Sequence, residues 1–241
     1  MILSTHPITT DNQHVDVLWR TGQQHGGKLS FKLPQPSDCA TLIAELCAIR
    51  YLMIVRKVFN VLPMAGRGYC LHVSTGAIRK LILGTSTKKE AQPYALFFRP
   101  RFDDIEIKVV RSKDDDFQLA FDPSKHELVE WNADYFTSPY DVIDTPAIGQ
   151  IYLTNHAVEQ YVKRCPAETI AKPWKSLVQR LQHEELRQLP IPESVLKHKA
   201  RKYGENNAIE AWGHEHSLFT YLISVSEGKR TVVTVFRRQP N

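Results

Sequence analysis

Two short runs near the start of the chain, residues 15–20 and 28–33, alternate apolar and polar positions, and a Gly- and Gln-rich turn ending in Gly26-Gly27 joins them. A period of two marks strands with one buried face, so this segment predicts a pair of strands. The period then changes. Leu42, Ile43, Leu46, Ile49, Met53 and Ile54 recur at helical spacing behind Ser37 or Asp38 as N-cap, which predicts a helix over 38–60. Gly66-Arg67-Gly68 predicts a turn, 69–73 a strand, and Ser74-Thr75-Gly76-Ala77 the start of a helix to about residue 83. Further strands are expected over 105–110, 117–121 and 127–131, with Asp114-Asp115-Asp116 as a polar turn.

Between 137 and 149, Pro139 and Pro146 stand among small and acidic residues without periodicity, the pattern of a linker. A short strand then leads into a helix capped by Thr154 and running to Arg164. Pro173 suits the first turn of a second helix, whose apolar face is Trp174, Leu177, Val178, Leu181 and Leu189, with Pro190 and Pro192 ending it. Strands over 208–212, 217–225 and 230–237 follow, with Ser226-Glu227-Gly228-Lys229 as the last hairpin turn. The expected class is α+β / α/β. Residues 1–136 form a mixed-sheet domain, 137–149 a linker, and 150–241 a helix-then-antiparallel-meander domain.

Composition narrows the function classes. The chain of 241 residues is 42% hydrophobic and 24% charged, an ordinary globular composition. No segment is apolar for the roughly 18–20 residues a membrane span needs. The four cysteines, Cys39, Cys47, Cys70 and Cys165, show no CxxC spacing, so they read as reduced thiols of a cytoplasmic protein. From residue 150 onward there are fourteen Lys+Arg against nine Asp+Glu, while 1–149 carry seventeen of each. The formal +5 therefore belongs to the C-terminal part and points to an anionic partner. The densest basic run, Lys197-His198-Lys199-Ala200-Arg201-Lys202-Tyr203, offers phosphate contacts and one ring for base stacking. The competing reading of that run is a solvated surface segment.

In the N-terminal half, the order strand, strand, helix with Ala44-Glu45-Leu46-Cys47-Ala48-Ile49, then strand and Ser74-Thr75-Gly76, resembles the ribonuclease H-like fold over about residues 15–135. In that family the first strand ends on an Asp, the first helix presents a Glu and the fourth strand ends on a second Asp; the carboxylates hold two Mg²⁺ ions. The resemblance places Glu45 on the Glu position, Arg20 on the first Asp position and Ser74 on the second. Asn132-Ala133-Asp134 is similar to a late element of the family. An arginine where a metal ligand belongs repels Mg²⁺, so this half is expected to be a catalytically silent platform for nucleic acid or protein.

In the C-terminal half, Leu153-Thr154-Asn155-His156-Ala157, with Arg164 two turns on, and the closing Val232-Val233-Thr234-Val235-Phe236-Arg237 resemble the superfamily of small RelE-, BrnT- and colicin-type ribonucleases. The resemblance covers residues 151–238. Gln160 stands where the family has its first arginine, and Arg164 matches the second. The family implies metal-free cleavage by the RNA 2′-hydroxyl, with a base, an acid and cations at the phosphate. His156 at a helix N-terminus sits in a field that favours its neutral form, which suits a base. His214 and His216, in a turn between strands, are the candidates for the acid. Lys163, Arg164 and Arg237, with Lys197, Lys199, Arg201, Lys202 and Tyr203, are the candidates for binding nucleic acid. His214 and His216 at i and i+2 also have metal-ligand spacing, but the sequence names no third ligand, so no metal and no cofactor is assigned.

Three readings follow. The first is a nucleic-acid-binding protein, RNA favoured over DNA, whose C-terminal domain is a metal-independent endoribonuclease of toxin type. Its N-terminal domain would meet a protein partner or a second copy of the chain. The second is a non-enzymatic nucleic-acid- or protein-binding accessory factor of a phage or mobile element, favoured by Arg20 and Gln160. The third is a metal-dependent nuclease built on Glu45, Asp134 and Asp114 to Asp116.

Overall fold

The computed structural model describes residues 1–241 except 10, 103, 112, 114, 119–121, 166–169, 192–207 and 239–241. The chain divides into two compact units, Met1–Pro139 and Tyr140–Asn241. Both units mix helices with a mixed sheet.

The first unit is built on a six-stranded sheet of order β5-β4-β1-β2-β3-β6. Its strands are β1 (Ile2–Thr9), β2 (His14–Arg20), β3 (Gly26–Lys32), β4 (Cys70–Val73), β5 (Glu106–Val109) and β6 (His126–Val129). The strands β1, β2 and β3 pair antiparallel, whereas β4, β5 and β6 are each parallel to their neighbours. The first strand went unread in the sequence, where Pro7 and the run Ser4-Thr5-His6 hide its alternation. Pro7 is tolerated in this central strand because β4 pairs only with Ile2, Leu3 and Ser4. Among the described residues no ladder partner lies opposite Pro7 on that side to miss an N–H.

One face of this sheet carries Leu3, Val15, Val17, Trp19, Leu29, Phe31, Leu71 and Val73, all buried. Helix α1 (Ala40–Arg50) lies against it and is buried nearly all round, as a central core helix must be. It continues as a π-type turn, Tyr51–Val55. The helix expected to residue 60 stops there, and Lys57 and Asn60 take left-handed backbone at φ 47° and 58°. Short helices α2 (Gly76–Ile82), α3 (Phe98–Arg101), α4 (Asp115–Gln118) and α5 (Ala133–Thr137) complete the unit. The strand expected over 117–121 is therefore in part the helix α4, whose Phe117 is buried and stacks on His6. Arg50 is buried between the rings of Phe97 and Tyr135 and donates to the carbonyls of Phe136 and Ser138, tying α1 to the end of the unit.

The second unit has the sheet order β7-β8-β12-β11-β10-β9. Its strands are β7 (Asp141–Thr145), β8 (Gly149–Leu153), β9 (Arg187–Leu189), β10 (Ala208–Gly213), β11 (Phe219–Ser226) and β12 (Lys229–Arg237), with helices α6 (Asn155–Arg164) and α7 (Pro173–Leu181). All pairs are antiparallel except β8 with β12. The expected linker over 137–149 contains β7 instead. Ile143 and Thr145 alternate inward and hairpin-pair with β8, a short period-two signal that the prolines masked. The helix expected to reach Leu189 ends at Leu181, and Leu189 belongs to β9.

Thr154 caps α6, its Oγ1 accepting from the Ala157 N–H at 3.0 Å and donating to the Val232 carbonyl at 2.9 Å. Tyr161, fully buried on α6, meets the ring of Phe219 edge-on, hydrogen-bonds Ser176 on α7 at 2.8 Å and accepts from Arg180 Nε at 2.9 Å. Glu227 and Gly228 both have positive φ, as a two-residue hairpin turn between twisted strands requires.

Candidate functional site

Two clusters of chemically capable side chains stand out, one in each unit. In the first unit, Glu45 projects from α1 toward the sheet and is 0% exposed. Thr5 Oγ1 on β1 donates to Glu45 Oε1 at 2.8 Å, the Ser74 backbone N–H just after β4 donates to the same oxygen at 2.8 Å, and the Ser74 hydroxyl donates to Oε2. Burial pushes the carboxyl up to about 7 against these three hydrogen bonds, which favour its charged form. Both oxygens are thus engaged by hydroxyl and amide donors, and no second carboxylate joins them among these contacts. The sequence set Arg20 beside Glu45 and Ser74, and the structure corrects this. Arg20 ends the second strand and lies over the Phe117 ring, 5.2 Å from its centroid, while the residue that meets Glu45 is Thr5 on the unread first strand.

The acidic residues of the third reading do not gather there. Asp134 is exposed on α5, Asp115 and Asp116 are exposed on α4, and Asp114 lies outside the described residues. Among the described residues no second carboxylate groups with Glu45, and a single hydroxyl-filled carboxylate is not a two-metal cage.

The second cluster is built around His214, in the turn between β10 and β11. Its Nε2 hydrogen-bonds Glu185 Oε2 at 2.5 Å, and its ring is 4.4 Å from that of His183 and 5.5 Å from that of His216, centroid to centroid. His183 and Glu185 come from the turn between α7 and β9, which reaches His214 because Arg187 on β9 pairs with Gly213 at the end of β10. The His214 bond holds the Glu185 carboxyl below the usual carboxylate range. His183 Nδ1 accepts from the Glu185 N–H at 3.3 Å, and His214 Nδ1 from the His216 N–H at 3.2 Å. Arg238 Nη1 donates to the His214 carbonyl at 3.0 Å, so a guanidinium also stands at this end of the sheet. Three histidines, a carboxylate and flanking arginines make a group able to move protons beside bound anionic oxygen.

Of the residues read from sequence, His214 and His216 are here, and Arg237 is exposed at the same end of β12. His156 is not. It is exposed in the first turn of α6, directly after Thr154, which bonds Val232. Val232 and Arg238 are six residues apart on an extended chain, about 20 Å. His156 and His214 cannot serve one phosphate across that span. Lys163 is exposed on α6. Arg164 is committed to structure: its Nη1 donates to the Val235 carbonyl and to Thr234 Oγ1 at 3.3 Å, and its guanidinium lies 4.6 Å from the Phe236 ring centroid. Past the end of β8 the edge of β12 has no strand partner on that side among the described residues, and Arg164 covers it. Lys197, Lys199, Arg201, Lys202 and Tyr203 lie outside the described residues.

Sequence reasoning missed His183, Glu185 and Thr5. The signal for the first two was the i, i+2 spacing of His183 and Glu185, matching that of His214 and His216, but nothing local pairs turns twenty-nine residues apart, Glu185 to His214. Comparison with protein-family models, curated proteins and solved structures finds no match to this chain.

Proposed function

We propose that the protein binds RNA and that its C-terminal unit cleaves it without a metal, the reacting phosphate lying at His214 rather than at His156. The observation that carries this reading is the hydrogen-bonded pair of Glu185 and His214, with His183 and His216 against it and Arg238 beside it. The 2′-hydroxyl oxygen attacks the adjacent phosphorus, an O2′–P bond forms and the P–O5′ bond breaks, leaving a 2′,3′-cyclic phosphate and a 5′-hydroxyl. His214, hydrogen-bonded through Nε2 to Glu185, is the acid that delivers a proton to O5′. His183 or His216 accepts the 2′-hydroxyl proton, and arginines at the strand end offset the charge on the phosphorane. The strand that opens this unit, its two helices and the closing strands Phe219–Ser226 and Lys229–Arg237 support the likeness to the small ribonucleases.

A second reading is a non-enzymatic nucleic-acid- or protein-binding accessory factor. The Thr5, Glu45 and Ser74 arrangement favours it for the first unit. The β1 to β4 order, with Glu45 on the first helix and Ser74 directly after the fourth strand, supports a ribonuclease H-like reading of that unit. Hydroxyls at two of the three acidic positions support its being silent.

Labelled single-stranded RNA and DNA, each with Mg²⁺ or EDTA, run on denaturing and native gels, separate the readings. RNA cleavage that survives EDTA, falls at least about 100-fold in His214→Ala and changes less than about threefold in His156→Ala is expected. Retarded but intact nucleic acid would favour the accessory factor, and neither cleavage nor retardation would sink both nucleic-acid readings.

A further inference from the structure

Among the described residues, His183, Glu185 and His214 form a group of ligand-type side chains whose ligand atoms all lie within 4.8 Å of one another. The pairing of β9 with β10 alone brings them together, since His183 and Glu185 sit before β9 and His214 after β10. We propose that this trio is a binding site for a divalent transition ion of the zinc class.

Two imidazoles and one carboxylate form a borderline-soft N₂O donor set, which suits zinc and its neighbours better than Mg²⁺ or Ca²⁺, ions that prefer all-oxygen shells. Three protein ligands leave a fourth tetrahedral position for water, and the site is open to solvent, with His183 and Glu185 exposed. An ion about 2.1 Å from each donor spaces the donors about 3.4 Å apart. The His214 to Glu185 contact, 2.5 Å, opens and the remaining distances close. These are movements of side-chain ends on two turns and require no change in the sheet.

The protons balance as follows. Coordination at Nε2 of a neutral imidazole leaves its one proton on Nδ1. His183 and His214 then give up the contacts that Nδ1 accepts from the N–H groups of Glu185 and His216, both long and both between residues two apart. The Nε2 proton of His214, shared with Glu185, moves to Nδ1 or is released to solvent. The inference stands on the geometry of the trio and not on the ribonuclease reading. If both hold, ion and proton compete for His214 Nε2, and the ion inhibits cleavage.

The test uses the full-length chain without a polyhistidine tag, stripped with EDTA and dialysed. Zn²⁺ is titrated calorimetrically, and Co²⁺ is titrated by visible absorption. One equivalent bound at micromolar concentration or tighter, with the intense visible bands of four- or five-coordinate Co²⁺, is expected. His214→Ala and Glu185→Gln each weaken binding at least tenfold while the thermal melt shows them folded, and His156→Ala leaves it unchanged. Absence of binding by the wild-type chain at 100 micromolar Zn²⁺, on the order of the weakest useful site, would overturn the proposal. So would variants of the trio that bind as well as wild type. Because no RNA is present, neither result depends on whether the protein is a ribonuclease.

Discussion

At Glu45 a single residue links burial to the pH dependence of stability. Its carboxyl is fully buried and titrates at about 7 in the folded protein, against an ordinary 4.5. Because the folded-state pKa is the higher one, the group's contribution is complete below pH 4.5 and is lost as pH rises through about 7. The interval corresponds to about 3 kcal/mol. Glu45→Gln should remove this dependence, so urea-unfolding free energies of wild type and variant should diverge by about that amount between pH 4.5 and pH 8. Parallel profiles would mean that Glu45 has the same affinity for protons in both states. Arg164 illustrates the opposite lesson, that a cation read from sequence as a nucleic-acid ligand can be wholly occupied within the fold. Arg164→Ala should cost about 2 kcal/mol, the scale of hydrogen bonds from a charged donor. Arg164→Lys should recover less than half of it, since an ammonium lacks the planar fork. The urea midpoint of the transition in the second unit reads both.

Among the elements, α6 was the most legible, because its start is written in one residue. Thr154 both caps the helix and bonds the Val232 carbonyl on β12, so Thr154→Ala should destabilise the second unit by about 1–2 kcal/mol. Thr154→Ser, which keeps the oxygen, should restore most of that in a thermal melt. The closing strand was legible in extent but not in facing. A bulge between Leu222 and Ile223 pairs Val232 with Ile223 and Thr234 with Leu222, leaving Val233 extra. Val232 and Thr234 therefore face opposite sides of the sheet, whereas uninterrupted alternation would set them on one. The strand β1 escaped notice because its inward residue Thr5 is polar and earns its place through Glu45, forty residues away.

For the whole molecule, each unit closes its own sheet over its own buried residues. Residues 1–139 and 140–241 expressed separately should each melt cooperatively, and a gradual, non-cooperative melt of either would count against the division. Formal charge does not separate them: residues 1–139 carry seventeen Lys+Arg against fifteen Asp+Glu, and 140–241 fourteen against eleven, since Asp141 and Asp144 open the second unit. If the reacting phosphate lies at His214, RNA affinity should nevertheless stay with 140–241 and fall steeply with salt as condensed counterions are released. The fragment 1–139 should show little of either.

The sequence by itself determined what short-range physics encodes. Alternation at residues 15–20 and 28–33, the Thr154 cap, Pro173 at a helix start and Glu227-Gly228 at a hairpin all act through neighbours a few residues away. Tertiary structure alone decided which distant residues meet. Strand order set Thr5 and Ser74 on the two oxygens of Glu45, and the pairing of β9 with β10 set His183 and Glu185 against His214 while leaving His156 farther along the sheet. A motif fixes the chemistry a residue can offer, but its partner is fixed by which strands lie side by side, and no local pattern carries that.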